Sequence, residues 1–229
     1  MSVRIAIAAV VCVCVLLPRP SLAETYESPR GFRLELPPHW IALNQSSVSD
    51  TLDAIEQHSE VFGRVAEPTI VSMRDMVSEG SIEHFFDTTT ADDGLPGTHM
   101  NIIIGLGAVP SNARELAQNE REMEQLCSML EELASRPLAI RDRRFTYLSG
   151  RLASAITFDS MIEGVVTTQY LVPVSPATRA EITVNCREKD LESSWPEVEE
   201  ILSSFEITEA IDGPFITSFE GTIGVTKPN

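Results

Sequence analysis

Residues 138–186 read LAIRDRRFTYLSGRLASAITFDSMIEGVVTTQYLVPVSPATRAEITVNC, and this stretch decides the fold. Residues 140–148 and 151–158 are two β-rich runs that meet at Ser149-Gly150, a tight-turn dipeptide. A third run, residues 165–172, follows a break at Ile162-Glu163-Gly164. The fourth, residues 178–186, alternates strictly. Ala180, Ile182, Val184 and Cys186 share one face, and Arg179, Glu181, Thr183 and Asn185 the other. Consecutive strands joined by short turns predict an antiparallel meander, one apolar face of which must be covered. On the first of these strands a uniform alternation puts Arg141 and Arg143 on one face and Arg144 on the other, a basic cluster that pairs with the acidic surface or, alternatively, binds a phosphate.

Working outward, a helix to cover the meander follows it. Ser194 and Glu197 form a capping-box pattern with Pro196 in the first turn, and Val198, Ile201, Leu202 and Phe205 make an apolar stripe. Upstream, residues 112–135 predict the clearest helix in the chain. Ser111 or Asn112 caps its start, Arg136-Pro137 marks its stop, and Leu116, Met123, Leu126, Leu130 and Leu133 form its apolar stripe. Residues 82–88 and 100–106 read as strands flanking a loop that carries Asp92-Asp93-Gly94. Phe32-Arg33-Leu34-Glu35-Leu36 alternates as a half-buried strand, ended by Pro37-Pro38, with Trp40 packing back on the core. Between these lie a short helix capped by Ser49, with apolar positions Leu52, Ile55 and Phe62, and a second segment over residues 69–77. Residues 208–229 form a C-terminal tail with weak strand signals.

The first 23 residues have the order of a secretory signal. Arg4 is the positive region, residues 5–17 are a 13-residue apolar run, and Ser21-Leu22-Ala23 places small residues for cleavage before Glu24. As a helix that run rises only about 20 Å, short of the ~30 Å hydrocarbon core. The expected domain plan is therefore a signal peptide (1–23), a single α+β domain (24–207) and the tail (208–229), with a periplasmic or secreted location and no stable membrane insertion after cleavage. Cleavage removes Arg4 and Arg19, leaving 34 acidic against 15 basic residues. Such a chain repels nucleic acid and anionic membranes, having no cationic block with which to release counterions. An acidic, lysine-poor surface fits either a salty habitat or a basic protein partner, and composition does not separate the two.

Chemistry-bearing motifs are few. Cleavage leaves Cys127 and Cys186, which in an oxidising compartment read as one disulfide or as two separately buried thiols. A bridge across that 59-residue span would stabilise by about 4 kcal/mol. Asp92 and Asp93 offer a loop that binds calcium weakly or is an ordinary turn; counted from Asp92, Ile103 stands where a calcium loop needs glutamate. His39, His58, His84 and His99 are scattered, outside any zinc-protease motif, and on a strand His84 and Asp87 point to opposite sides. Gly105-Leu106-Gly107 lacks the third glycine of a dinucleotide fingerprint, since Pro110 occupies that position. Asn44-Gln45-Ser46 matches a glycosylation sequon. No catalytic residue, cofactor or metal site is assigned on these grounds.

Three passages together resemble the Mog/PsbP-like fold, particularly its exported bacterial branch that includes DcrB-like proteins. They are GFRLELPPHW at residues 31–40, the late hairpin of residues 167–171 and 179–186, and ILSSF at residues 201–205. The resemblance covers residues 26–207 and departs at residues 49–79 and in the tail. It implies an antiparallel sheet with helices on both faces, an α/β/α sandwich, and roles in docking partners or assisting assemblies rather than catalysis. It carries no functional residue onto this chain. The expectation is a non-catalytic secreted or periplasmic protein-binding module, such as an immunity-type inhibitor or assembly factor. The alternatives are a hydrolase with a site assembled from dispersed residues and a small-ligand binder.

Overall fold

A computed structural model describes residues 23–45, 77, 79–80, 82–89 and 97–208. The expected helix capped by Ser49, most of the segment over 69–77, the Asp92-Asp93 loop, the signal peptide up to residue 22 and all but the first residue of the tail lie outside the described residues.

The predicted meander forms with both its turns and its pairings. Strands β6 (Ile140–Leu148), β7 (Arg151–Asp159), β8 (Val165–Pro173) and β9 (Thr178–Arg187) follow one another antiparallel. Ser149 and Gly150 both take positive φ, 54° and 68°, the backbone of a two-residue hairpin turn whose twist matches its strands. The sheet continues beyond β9 through β5 (His99–Leu106) and β4 (Glu83–Asp87) to β3 (Trp40–Leu43). The seven-stranded order is β3-β4-β5-β9-β8-β7-β6, antiparallel at every step. A second, three-stranded sheet sets β2 (Phe32–Leu36) between β1 (Glu24–Glu27) and the two-residue β10 (Glu206–Ile207).

Helix α1 (Ala113–Ala134) lies on one face of the large sheet, and α2 (Leu191–Ser204) with the small sheet on the other. The α+β antiparallel architecture with helices on both faces is the one expected from the sequence. The main core lies on the α2 side, where Phe32 and Leu34 of β2, Phe85, Met100, Ile102, Ile182, Val184, Val198, Ile201 and Phe205 pack together. A smaller cluster under α1 joins Met123 and Cys127 to Leu138 and Ile156. A third, beneath β3 and β4, contains Leu43, Val77, Ile82 and Phe86.

The caps explain where the helices start and stop. Asn112 Oδ1 accepts from the backbone N–H groups of Arg114 and Glu115, and Ser135 ends α1 in a left-handed conformation before Arg136-Pro137. The capping box expected at Ser194 is not used. A 3-10 turn at Glu188–Asp190 feeds directly into α2, so the helix begins at Leu191, Ser194 is buried inside it and Pro196 is an interior residue. Glu197 is thereby released from capping.

Two further expectations are corrected by packing. The inward stripe of α1 runs through Leu116, Met123 and Cys127, with Leu130 and Ala134 packed partly against it, while Leu126 is 41% exposed. Strand β6 also carries a bulge between Ile140 and Asp142, which breaks the alternation expected of its arginines. Asp142 and Arg144 then pair opposite Thr157 and Ala155 on the α2 side, and Arg143 reaches Glu120 of α1 on the other. Arg141, the extra residue, bonds Asp159 at 2.5 Å and Glu188 at 2.7 Å.

Phe205 closes the α2 side of the core, 1% exposed and 5.6 Å from the Phe32 ring. Phe205→Ala should cost about 3–5 kcal/mol in urea unfolding, whereas Glu132→Ala on the outer face of α1 should stay within about 0.5 kcal/mol.

Candidate functional site

Cys127 and Cys186 are not joined. Cys186 shares the face of β9 that carries Ile182 and Val184 toward the main core, and its Sγ lies 3.4 Å from Thr98 Oγ1. Cys127 packs against Ile156, whose side chain projects opposite to those of Ala153 and Ala155 in that core. The sheet therefore stands between the two sulfurs, and a strand's alternation forbids the expected bridge. Burial pushes both thiols above the ordinary range, so they behave as small apolar groups.

His58 lies outside the described residues, and the three described histidines separate into two environments. His84 and His99 flank Phe86, each ring stacked on it at 5.8 Å, on the face of β4 away from Asp87. The Asn185 amide donates to His99 Nε2 at 3.0 Å while its carbonyl oxygen accepts from Thr167. Among the described residues, neither ring nitrogen of His84 has a hydrogen-bond partner. Burial, with His99 adding a second unfavourable charge, pushes His84 down to about 4. Asn44 of the sequon is buried too, its amide donating to Tyr26 Oη at 2.7 Å. Tyr26 in turn donates to Glu83, which burial holds above the usual carboxylate range despite the hydroxyl of Ser28 at 2.7 Å.

His39 stands elsewhere, at the rim where three elements converge. It precedes β3, Asp87 ends β4, and Glu197 lies on the second turn of α2. His39 Nε2 is 3.0 Å from Glu197 Oε1 and 3.8 Å from Asp87 Oδ1. Trp40, the buried ring that ends the GFRLELPPHW motif, donates its Nε1–H to the same Glu197 oxygen at 2.7 Å. Asp87 is nearly closed off from solvent, and its Oδ1 accepts from the backbone N–H and hydroxyl of Thr89 at 2.8 and 2.7 Å. The His39 carbonyl accepts from both the N–H and the hydroxyl of Thr88. No sequence motif announces this trio, because His39 and Glu197 are 158 residues apart.

A second feature missed by pattern reading is the outer surface of α1. Glu122, Leu126, Met129 and Glu132 follow one another at helical spacing and all face water, with Met129 71% exposed. Elsewhere, among the described residues, six arginines, Arg33, Arg141, Arg143, Arg144, Arg179 and Arg187, each pair with a carboxylate.

The chain matches no protein-family model and no curated protein sequence. Solved structures similar to it include a PsbP protein, a Mog1 protein and an immunity protein. The cyanobacterial PsbP (CyanoP) of Synechocystis sp. PCC 6803 aligns at 10% identity and a TM-score of 0.47, over 82% of this chain and 93% of that one. The Saccharomyces cerevisiae Ran-binding protein Mog1p gives 10% identity and 0.44, over 82% and 96%. The immunity protein TplEi of the Pseudomonas aeruginosa T6SS, complexed with a peptide, gives 12% and 0.41, over 82% and 99%. No helix among the described residues is long and apolar enough to cross a membrane.

The buried imidazole of His84 yields a test of the fold's acid sensitivity. Its folded value is depressed, so its contribution to stability is present above ~6.5, where the unfolded side chain is neutral, and is lost as pH falls toward 4. Wild type should lose about 3 kcal/mol from this group over that window, and His84→Phe should flatten the pH dependence in chemical unfolding.

Proposed function

We propose that this chain is an exported, non-catalytic protein-binding module that docks a basic partner through the outer face of α1. The observation that carries this reading is the line Glu122-Leu126-Met129-Glu132, an exposed apolar centre between carboxylates on a rigid, well-capped helix. Protein interfaces put apolar anchors at the centre of a patch and polar groups at the rim, and methionine suits such centres because its thioether adapts to its partner.

The charge of the chain selects the partner's sign. With 34 acidic and 17 basic residues in the chain, and six glutamates against two arginines on α1 itself, the field outside α1 is negative. A cationic protein is steered toward it, and an anionic one is repelled. An immunity-type inhibitor of a basic enzyme is the specific form of this role that the surface suits. The single domain of residues 24–207, released by cleavage after Ala23, is the unit proposed to perform it.

Immobilised wild type and a Leu126→Gln/Met129→Gln variant, exposed to envelope extract of the source organism, test the reading. A basic protein should be retained by wild type at low salt, released at high salt, and held at least roughly tenfold more weakly by the variant. Equal retention by the variant, or capture insensitive to salt, contradicts it.

A further inference from the structure

We infer that His39, Asp87 and Glu197 form a binding site for a divalent first-row transition-metal ion of the zinc type. The three donor atoms, His39 Nε2, Asp87 Oδ1 and Glu197 Oε1, lie within 4.8 Å of one another. Around a tetrahedral zinc with bonds of ~2.1 Å, donor atoms stand about 3.4 Å apart. The observed separations from Nε2, 3.0 Å to Glu197 and 3.8 Å to Asp87, bracket that value. An ion entering between them draws the two carboxylate oxygens, which lie within 4.8 Å of each other, toward that spacing.

The donor set and its supports fit this class of ion. One imidazole and two carboxylates suit zinc and its neighbours better than calcium, which takes an all-oxygen shell of six to eight ligands. Each donor is held by neighbouring groups, whose hydrogen bonds to Asp87 Oδ1 and Glu197 Oε1 an entering ion must share or displace. Thr89 orients the Asp87 oxygen, Trp40 orients Glu197, and Thr88 clamps the backbone of His39. Such outer partners fix the direction of a metal's ligands. The site also draws on charge. Asp87 is buried and Glu197 half-buried, two carboxylates gathered around one ring on a strongly acidic chain. A dication removes their mutual repulsion, whereas an imidazolium supplies a single compensating charge. His39 and Glu197 are each about one-third exposed, which leaves an open side for entry and for water as a further ligand.

The test is a calorimetric titration of the metal-stripped full-length exported protein with zinc chloride, repeated with cobalt chloride under visible spectroscopy. Wild type should bind a single strong equivalent of zinc, and cobalt should develop the visible bands of a low-symmetry four- or five-coordinate site. His39→Ala and Glu197→Gln should each weaken zinc binding by roughly tenfold or more, while Glu124→Gln on α1 leaves it unchanged. Circular dichroism of each variant separates lost ligation from lost fold, and Glu197→Gln is the milder of the two changes. Absence of a strong equivalent in wild type overturns the inference. So do equal affinity in well-folded His39→Ala and Glu197→Gln, and preference for calcium over zinc. None of these results bears on docking at α1, which lies across the sheet.

Discussion

Strand β9 is hydrogen-bonded along one edge to β5 and along the other to β8, and every further element takes its position from that double pairing. Ala180, Ile182, Val184 and Cys186 leave one face of the strand with almost no exposure. On the other face, polar side chains are satisfied across to β8: Thr167 donates to Asn185, and Gln169 to Glu181. One strand therefore carries apolar burial and a polar ladder at once, and a one-residue slip would exchange them. Its end runs straight through the 3-10 turn into α2, which drops Val198, Ile201 and Phe205 onto the face that β9 has just built.

That constraint also assembles the rim site. Because α2 starts early, Glu197 falls on its second turn above the β3–β4 edge instead of capping the helix. Trp40 is buried in the same core and directs its indole N–H to Glu197, so hydrophobic packing and carboxylate placement share one residue. The acidic-apolar face of α1 depends on the opposite side of the sheet, where Met123 and Cys127 anchor the helix and rotate Leu126 and Met129 outward. Two surfaces of different chemistry thus stand on opposite faces of one sheet.

Local, periodic features were legible in the sequence. The alternation of residues 178–186, the Ser149-Gly150 turn and the Asn112 to Arg136-Pro137 limits of α1 all rest on contacts a few residues long, and the structure keeps them. What escaped was decided by distant partners. Strands β1, β3 and β10 have four residues or fewer and exist because neighbours offer pairing, which no short window reveals. The bulge at Ile140/Asp142 moved Arg141 off the expected face without any glycine to mark it. Ser194 and Glu197 had the spacing of a cap, yet the preceding turn at Glu188–Asp190 made an earlier start available. The trio at the rim joins three separate elements, so only the fold brings it together.

The central claim is that β9, gripped on both edges and sealed by α2, is the last part of the molecule to open. Residue-resolved amide hydrogen exchange measures this directly. The account predicts that the amides of residues 180–186 bonded to β5 and β8 exchange slowest, with opening free energies at the global unfolding value. The bonded amides of edge strand β6 should exchange distinctly faster. If β9 instead exchanged as quickly as β6, the sheet would not be organised around it, and the placement of both surfaces would lose its physical basis.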